Sequence, residues 1–261
     1  MQNSIFNSRY LTNYRFFNTK FSRFLSNISE NNEFVKIPEK LTVLSTFNRQ
    51  IKELDVNILK NDNNRLNFYC CGPTVYDHSH LGHAISYIRC DLVQRSLKTY
   101  LGKDVGFAMN ITDIDDKIIS KSNELQIPWK DISEEYFQSF KKDMSLLNIT
   151  GPDVYLKVTD KIDVIIAYIR QIYERGFAYI NPETRDINFD YQKFITSFSI
   201  KNEMNTSQNV SNQKMLGKHS PKDFVLWKAW KSDKNEPKWE CRLDSNTVVD
   251  GRPGNCFHIS I

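Results

Sequence analysis

The stretch from Leu66 to Asp116 constrains the fold more than any other part of the chain. An apolar, aromatic run, Leu66 to Cys71, is halted by Gly72-Pro73. A polar loop holding Asp77, His78 and Ser79 leads into His80-Leu81-Gly82-His83. A helical period follows, with Ile85, Ile88, Leu92, Val93, Leu97 and Leu101 largely on one face, and Gly102 fits its stop. A second short apolar run, Val105 to Ile111, delivers Thr112-Asp113-Ile114-Asp115-Asp116. Strand, loop, helix, strand in this order reads as a parallel α/β unit. Its unusual residues gather where such a unit binds ligands, at the C-terminal ends of the strands.

The His80–His83 tetrapeptide carries a specific chemistry. Gly82 removes a side chain where a flat ring can approach the backbone. The two imidazoles flank it at a helix N-terminus, where unpaired N–H groups and the helix dipole favour phosphate. Such donors can stabilise charge developing on a reacting phosphate. Two histidines three residues apart also serve as plain surface or metal-binding residues. The strand and Gly-Pro turn before them, and the helix after, are the context a phosphate motif requires.

With 261 residues, 40% of them hydrophobic and 13% aromatic, the chain can build one large or two small globular cores. A net charge of +4 permits an RNA partner without arguing for one. No run approaches the roughly 18 apolar residues of a membrane span. The five cysteines, Cys70, Cys71, Cys90, Cys241 and Cys256, are odd in number and unevenly spaced, which is not a secreted disulfide framework. Cys70 and Cys90 read as small buried hydrophobes. The first acidic residue is Glu30, and before it Arg9, Arg15, Lys20 and Arg23 are scattered among Ser, Asn, Phe and Tyr. That composition suits an organelle transit peptide over 1–29, followed by a polar linker over 30–40. Further on, the expected elements are a helix over Lys117 to Glu124 broken by Pro128, and a helix over Ile132 to Leu147 capped by Ser133. An amphipathic helix over Val164 to Arg175, a hairpin over Phe177 to Phe189, a polar loop over Ser197 to Lys218, an apolar segment over Asp223 to Trp230 and a polar loop over Glu236 to Asp250 complete the reading.

Three motifs carry a family resemblance. Cys71-Gly72-Pro73-Thr74-Val75-Tyr76-Asp77, His80-Leu81-Gly82-His83 and Asn110-Ile111-Thr112-Asp113-Ile114-Asp115-Asp116-Lys117-Ile118-Ile119 resemble the N-terminal catalytic half of the cysteinyl-tRNA synthetases, which are class I aminoacyl-tRNA synthetases. Pro152-Asp153-Val154-Tyr155, Gly176-Phe177-Ala178-Tyr179, Asp223 to Lys228 and Gly251-Arg252-Pro253-Gly254 are similar to the family too, in the family's order. The resemblance implies an α/β fold, the N-terminal half of a Rossmann-like parallel-sheet catalytic domain with part of its connective insertion. On that view 41–130 is the half-domain carrying the histidine motif, and 131–261 is a helical and hairpin connective region.

The resemblance also implies roles. Cys71 would be one ligand of a zinc ion that reads the substrate thiol, preferring soft sulfur to a hydroxyl. Gly72 and Thr112 would hold the amino acid; His80, Gly82 and His83 would bind ATP with its magnesium, the two histidines acting catalytically. Asp113, Asp115 and Asp116 would steer the ammonium group or cap the next helix. The implied activity is ATP-dependent formation of cysteinyl-adenylate and transfer to tRNA(Cys), by a monomer with no membrane partner, in the mitochondrial matrix or alternatively the cytoplasm. Two alternatives are an inactive paralogue serving as a binding module and a ligase joining cysteine to a small-molecule amine. The chain departs from the family at Ser120, where the family has lysine, and after Gly254, where the family continues Trp-His-Ile-Glu-Cys. Here Asn255-Cys256-Phe257-His258-Ile259-Ser260-Ile261 follows, out of register for the second zinc ligand. A Lys-Met-Ser-Lys-Ser loop, an anticodon-reading domain and the later zinc ligands are not found. The expectation is a C-terminally truncated form, its last seven residues read from an intron, inactive by itself and with a hydrophobic sheet edge exposed.

Overall fold

A computed structural model describes residues 41–44, 50–54, 65–100, 104–198, 216–231 and 236–254. The expected transit peptide and linker, Cys256, His258 and most of the polar loop after Ser197 lie outside these residues. Strands β1 (Leu41–Leu44) and β2 (Ile51–Leu54) pair antiparallel. The central unit is a parallel sheet in the order β3-β4-β5, from β3 (Leu66–Cys70), β4 (Val105–Ile111) and β5 (Val154–Lys157). Helix α1 (Leu81–Tyr100) links β3 to β4, and α2 (Asp116–Leu125) and α3 (Trp129–Leu146) link β4 to β5. The boundary expected between 130 and 131 falls in the first turn of α3.

Alternation along β4 sorts the two faces of this sheet. Val105, Phe107, Met109 and Ile111 are buried, and Phe107, Met109 and Ile111 share a core with Tyr87 of α1 and Phe137, Phe140 and Met144 of α3. The opposite face is built from Asn67, Tyr69, Gly106, Ala108, Val154 and Leu156 and lines a cavity of about 420 Å³. Among the described residues β3 is an edge of the sheet.

Helix α1 differs from its expected orientation. It buries Tyr87, Asp91, Gln94 and Leu97, while Leu92 is 58% exposed and Ile85, Ile88 and Val93 are exposed as well. The reason is a polar anchor. Asp91 accepts from the Thr150 amide at 2.9 Å and from Arg95 Nε at 2.7 Å, so a carboxylate occupies a turn that periodicity assigns to solvent. Helix α3 also differs. It starts at Trp129 with Pro128 as its N-cap, because proline's missing N–H costs nothing at a helix start. Ser133 therefore lies inside the helix, buried, and donates to the Lys130 carbonyl at 3.1 Å. Glu134 pairs with Lys157 at 2.6 Å.

The remainder packs as a five-stranded antiparallel sheet in the order β6-β7-β8-β10-β9. Its strands are β6 (Ala178–Ile180), β7 (Ile187–Phe189), β8 (Phe224–Ala229), β9 (Trp239–Arg242) and β10 (Val248–Pro253). The hairpin β6–β7 forms within its expected span, and Asn181 holds its turn: Asn181 Oδ1 accepts the Glu183 and Thr184 amides at 2.9 and 3.1 Å. Helix α4 (Ile162–Glu174) lays Ile162, Ile165 and Ile169 on this sheet against Ile187, Leu226 and Trp227. Helix α5 (Tyr191–Ser197) follows β7, where only a loop was foreseen at its end. The segment expected as a polar loop over Glu236 to Asp250 instead forms β9 and much of β10. Cys241 of β9, Val249 of β10 and Leu243 just beyond β9 are buried there, and β10 pairs with both β9 and β8. Among the described residues no helix is long and apolar enough to cross a membrane.

Candidate functional site

The C-terminal ends of β3 and β4 meet through one buried side chain. Asn110 Oδ1 accepts the Gly72 amide at 2.8 Å and the Tyr69 hydroxyl at 2.9 Å. A Cβ on Gly72 would come within 1.8 Å of the Asn110 carbonyl oxygen, so only glycine allows this approach. Beyond the Gly-Pro turn the chain re-pairs. Thr112 donates its amide to the Pro73 carbonyl, Val75 donates to the Thr112 carbonyl, both at 3.1 Å, and Thr74 bridges Thr112 in parallel. Gly72 and Thr112 are thus brought side by side at the strand ends. Sequence reasoning gave Asn110 no role. A buried asparagine within the apolar run Ala108-Met109-Asn110-Ile111 was the available signal.

Cys71 is exposed at the same edge. The Tyr87 hydroxyl donates to its carbonyl at 3.4 Å. Burial first, and then the neighbouring sulfurs of Cys71 and Cys70, push the Tyr69 hydroxyl well above its ordinary pKa. Among the described residues no group of three or more His, Cys, Asp or Glu side chains is placed to hold a metal. The described residues therefore do not assemble a zinc site around Cys71.

His80 and His83 cap the start of α1 reciprocally. The Gly82 amide donates to His80 Nδ1 at 3.0 Å, and the His80 amide donates to His83 Nδ1 at 3.2 Å. This is the logic of a capping box, with imidazoles in place of a hydroxyl and a carboxylate. Both Nδ1 atoms accept, so in each neutral ring the proton sits on Nε2. The rings stack with centroids 4.1 Å apart. Burial, then the proximity of His80, lowers the pKa of His83 and favours its neutral form. A Cβ on Gly82 would meet His80 Cε1 at 2.8 Å, so the glycine leaves room for the ring. Two Nε2–H donors at a helix N-terminus form an arrangement suited to a phosphate.

The loop between these ends is held by α2 and α3. Lys121 donates to the Tyr76 carbonyl at 3.0 Å and to the Tyr136 hydroxyl at 2.8 Å, and lies 3.5 Å from Asp77. His78 Nδ1 and Ser139 Oγ are 3.1 Å apart. Each aspartate after Thr112 has a partner. Asp113 is buried and accepts from the Thr159 amide and hydroxyl, and burial outweighs those bonds to raise its pKa. Asp115 caps α2, accepting the Lys117 amide at 2.9 Å. Asp116 pairs with Lys228 and Arg252; burial would raise its pKa, and the two cations together hold it below the usual value. Arg252 is 2% exposed and also meets Glu236 at 3.2 Å, a clamp between the antiparallel sheet and the first residue of α2 that no sequence signal announced.

Residues 57–261 match the family model for the tRNA synthetases class I (C) catalytic domain. Over 201 residues the chain is 39% identical to the cysteine–tRNA ligase of Methanococcus vannielii, covering 76% of this chain and 40% of that protein. It is 38% identical over 218 residues to the Xenopus tropicalis protein named "probable cysteine–tRNA ligase, mitochondrial", covering 84% of this chain and 36% of that one. It is 39% identical over 209 residues to the cytoplasmic cysteine–tRNA ligase of Dictyostelium discoideum, 74% of this chain and 30% of that one. The chain spans about a third to two fifths of the length of these curated relatives. A Mycobacterium tuberculosis methionyl-tRNA synthetase in complex with methionyl-adenylate overlaps 51% of this chain and 34% of its own with a TM-score of 0.41 and 16% identity, too partial a likeness to carry an argument. With its parallel α/β unit, its histidine-capped helix and a family match over most of its length, the chain belongs to the class I (C) tRNA synthetases and carries their catalytic-domain sequence.

Proposed function

We propose that this chain binds ATP and cysteine as part of a cysteine–tRNA ligase, which forms cysteinyl-adenylate and transfers the cysteinyl group to tRNA(Cys). The observation that carries the reading is the reciprocal cap of His80 and His83, which engages both Nδ1 atoms as acceptors and leaves an Nε2–H on each neutral ring at the start of α1. In the first step a carboxylate oxygen of cysteine attacks the α-phosphorus of magnesium-bound ATP and pyrophosphate leaves. In the second a ribose hydroxyl of the tRNA attacks the acyl carbon and AMP leaves. Neither step asks the protein for a covalent bond. Positioning and charge stabilisation carry the rate, and neutral donors that need no reorganisation suit that task. Gly72 and Thr112 would hold the amino acid, a role supported by their place at the strand ends beside the histidines' loop.

A stable sulfamoyl mimic of cysteinyl-adenylate tests the reading directly. It is expected to bind the chain at least tenfold more tightly than AMP and than the methionyl mimic, as intermediate mimics do when a site spans both halves. Equal affinity for all three would refute it. The acid-free leader, together with a relative named as mitochondrial, supports a place in the mitochondrial matrix. Fusion of residues 1–40 to a reporter is expected to direct import, and a reporter left in the cytoplasm would refute that.

A further inference from the structure

The sequence holds two neighbouring cysteines at the end of β3, and only one of them meets α1 through its sulfur. Successive strand residues point to opposite faces, so Cys70 and Cys71 cannot both meet α1. Cys71 is exposed. Cys70 turns inward, and its Sγ lies 2.8 Å from the Sγ of Cys90 on α1. Cys90 sits one helical turn after Tyr87, whose hydroxyl reaches the Cys71 carbonyl. One face of α1 therefore grips the end of β3 with a phenol and a thiol. Both thiols are free and partly exposed, so a small oxidant reaches them.

We propose that Cys70 and Cys90 form a reversible intramolecular disulfide, a redox modification site that locks the loop carrying Cys71, Gly72, His80, Gly82 and His83. The sulfurs need close by less than about 1 Å to reach a bonded separation of about 2.05 Å. The oxidant is a hydroperoxide. One sulfur attacks the peroxide, the O–O bond breaks, and that sulfur becomes a sulfenic acid as water or an alcohol leaves. The second sulfur attacks the first, the S–O bond breaks, water leaves with the second thiol's proton, and the S–S bond forms. Two thiols are oxidised by two electrons in all, and a dithiol returns both. The bridge ties the strand end to the third turn of the helix, so every candidate site residue except Thr112 lies within the closed loop. The inference rests on the sulfur geometry and stands apart from the synthetase reading.

Peptide mapping tests it on the full chain. The reduced protein is treated with hydrogen peroxide under native conditions, its remaining thiols are alkylated, and it is digested with trypsin. Cleavage after Arg65, Arg89 and Arg95 separates the peptide Leu66–Arg89 from Cys90–Arg95. The expected product is these two peptides joined, released by dithiothreitol, lost in Cys70→Ser and in Cys90→Ser and retained in Cys71→Ser. Recovery of the peptides unlinked, as alkylated or singly oxidised species, overturns the proposal. So does a link lost in Cys71→Ser and kept in Cys70→Ser, or one made to Cys241 or Cys256.

Discussion

Replacing Arg252 with methionine removes the cation of the clamp while keeping most of the side-chain volume. Two carboxylates lose a partner. Glu236 has a side chain only 4% exposed, so its charge is left uncompensated in the interior. Removing one partner of such a buried pair costs about 3–5 kcal/mol. Asp116 is 41% exposed and keeps Lys228, so its share falls to the range of a surface pair, about 0–1 kcal/mol. Glu236 also keeps the Lys231 amide on its other oxygen at 3.0 Å, which favours the low end. The expected loss is about 3 kcal/mol. Urea unfolding followed by tryptophan fluorescence reads it, because the fully buried Trp227 neighbours Lys228 in β8. The double variant Glu236→Gln with Arg252→Met is expected to recover at least half of the loss, since the neutral amide needs no cation. A loss below about 1 kcal/mol, or a double variant no more stable than Arg252→Met, would refute the reasoning.

Further expectations follow from the same contacts. Gly72→Ala forces a methyl onto the Asn110 carbonyl and is expected to destabilise the protein by about 1–3 kcal/mol, read as a lowered thermal midpoint. Asn110→Ala strands the Gly72 amide and the Tyr69 hydroxyl and is expected to cost about 1–3 kcal/mol in urea unfolding. His83 is held below its ordinary pKa, so the unfolded chain binds its proton more readily than the folded one. Its contribution to stability is therefore lost as pH falls below about 6.5 and is restored above it, which NMR titration of the imidazole with urea unfolding at each pH checks. A His83 pKa at or above the ordinary value would contradict this. Asp116 behaves oppositely to a buried unpaired acid: its stabilising charge is present at neutral pH and lost as pH falls below the ordinary carboxylate range.

What could be read in the sequence was the part written locally. Leu66 to Cys70, the Gly-Pro turn and the run to Ile111 each carry their own period and punctuation, and the structure forms β3, α1 and β4 from them in a parallel sheet. The face that α1 buries was not legible, because the bond from Asp91 to the Thr150 amide spans 59 residues. Ser133 has the chemistry of a cap, yet Pro128 five residues earlier starts the helix, and a local signal lost to a stronger one. Strands β9 and β10 hid in a polar segment, since Cys241 lies between Glu240 and Arg242 and Val249 precedes Asp250, charged neighbours that only pairing reveals as outward. At the site, the placing of His80 and His83 at a helix start was read from the sequence, whereas their reciprocal Nδ1 caps appear only in the structure. The hub at Asn110 and the clamp at Arg252 were not legible, for their partners lie 38 and 136 residues away.

The proposed role of the start of α1 is to hold the phosphates of ATP through two imidazole Nε2–H groups. Calorimetric titration of the chain with α,β-methylene-ATP and magnesium tests it most directly, using His80→Asn and His83→Ala beside the natural sequence. Asparagine at 80 retains a helix cap and lacks the Nε2 donor, so a folding defect is set apart from a binding one. Each variant is predicted to bind about ten- to a hundredfold more weakly, the worth of one hydrogen bond to a charged group. Unchanged affinity in both variants would contradict the account.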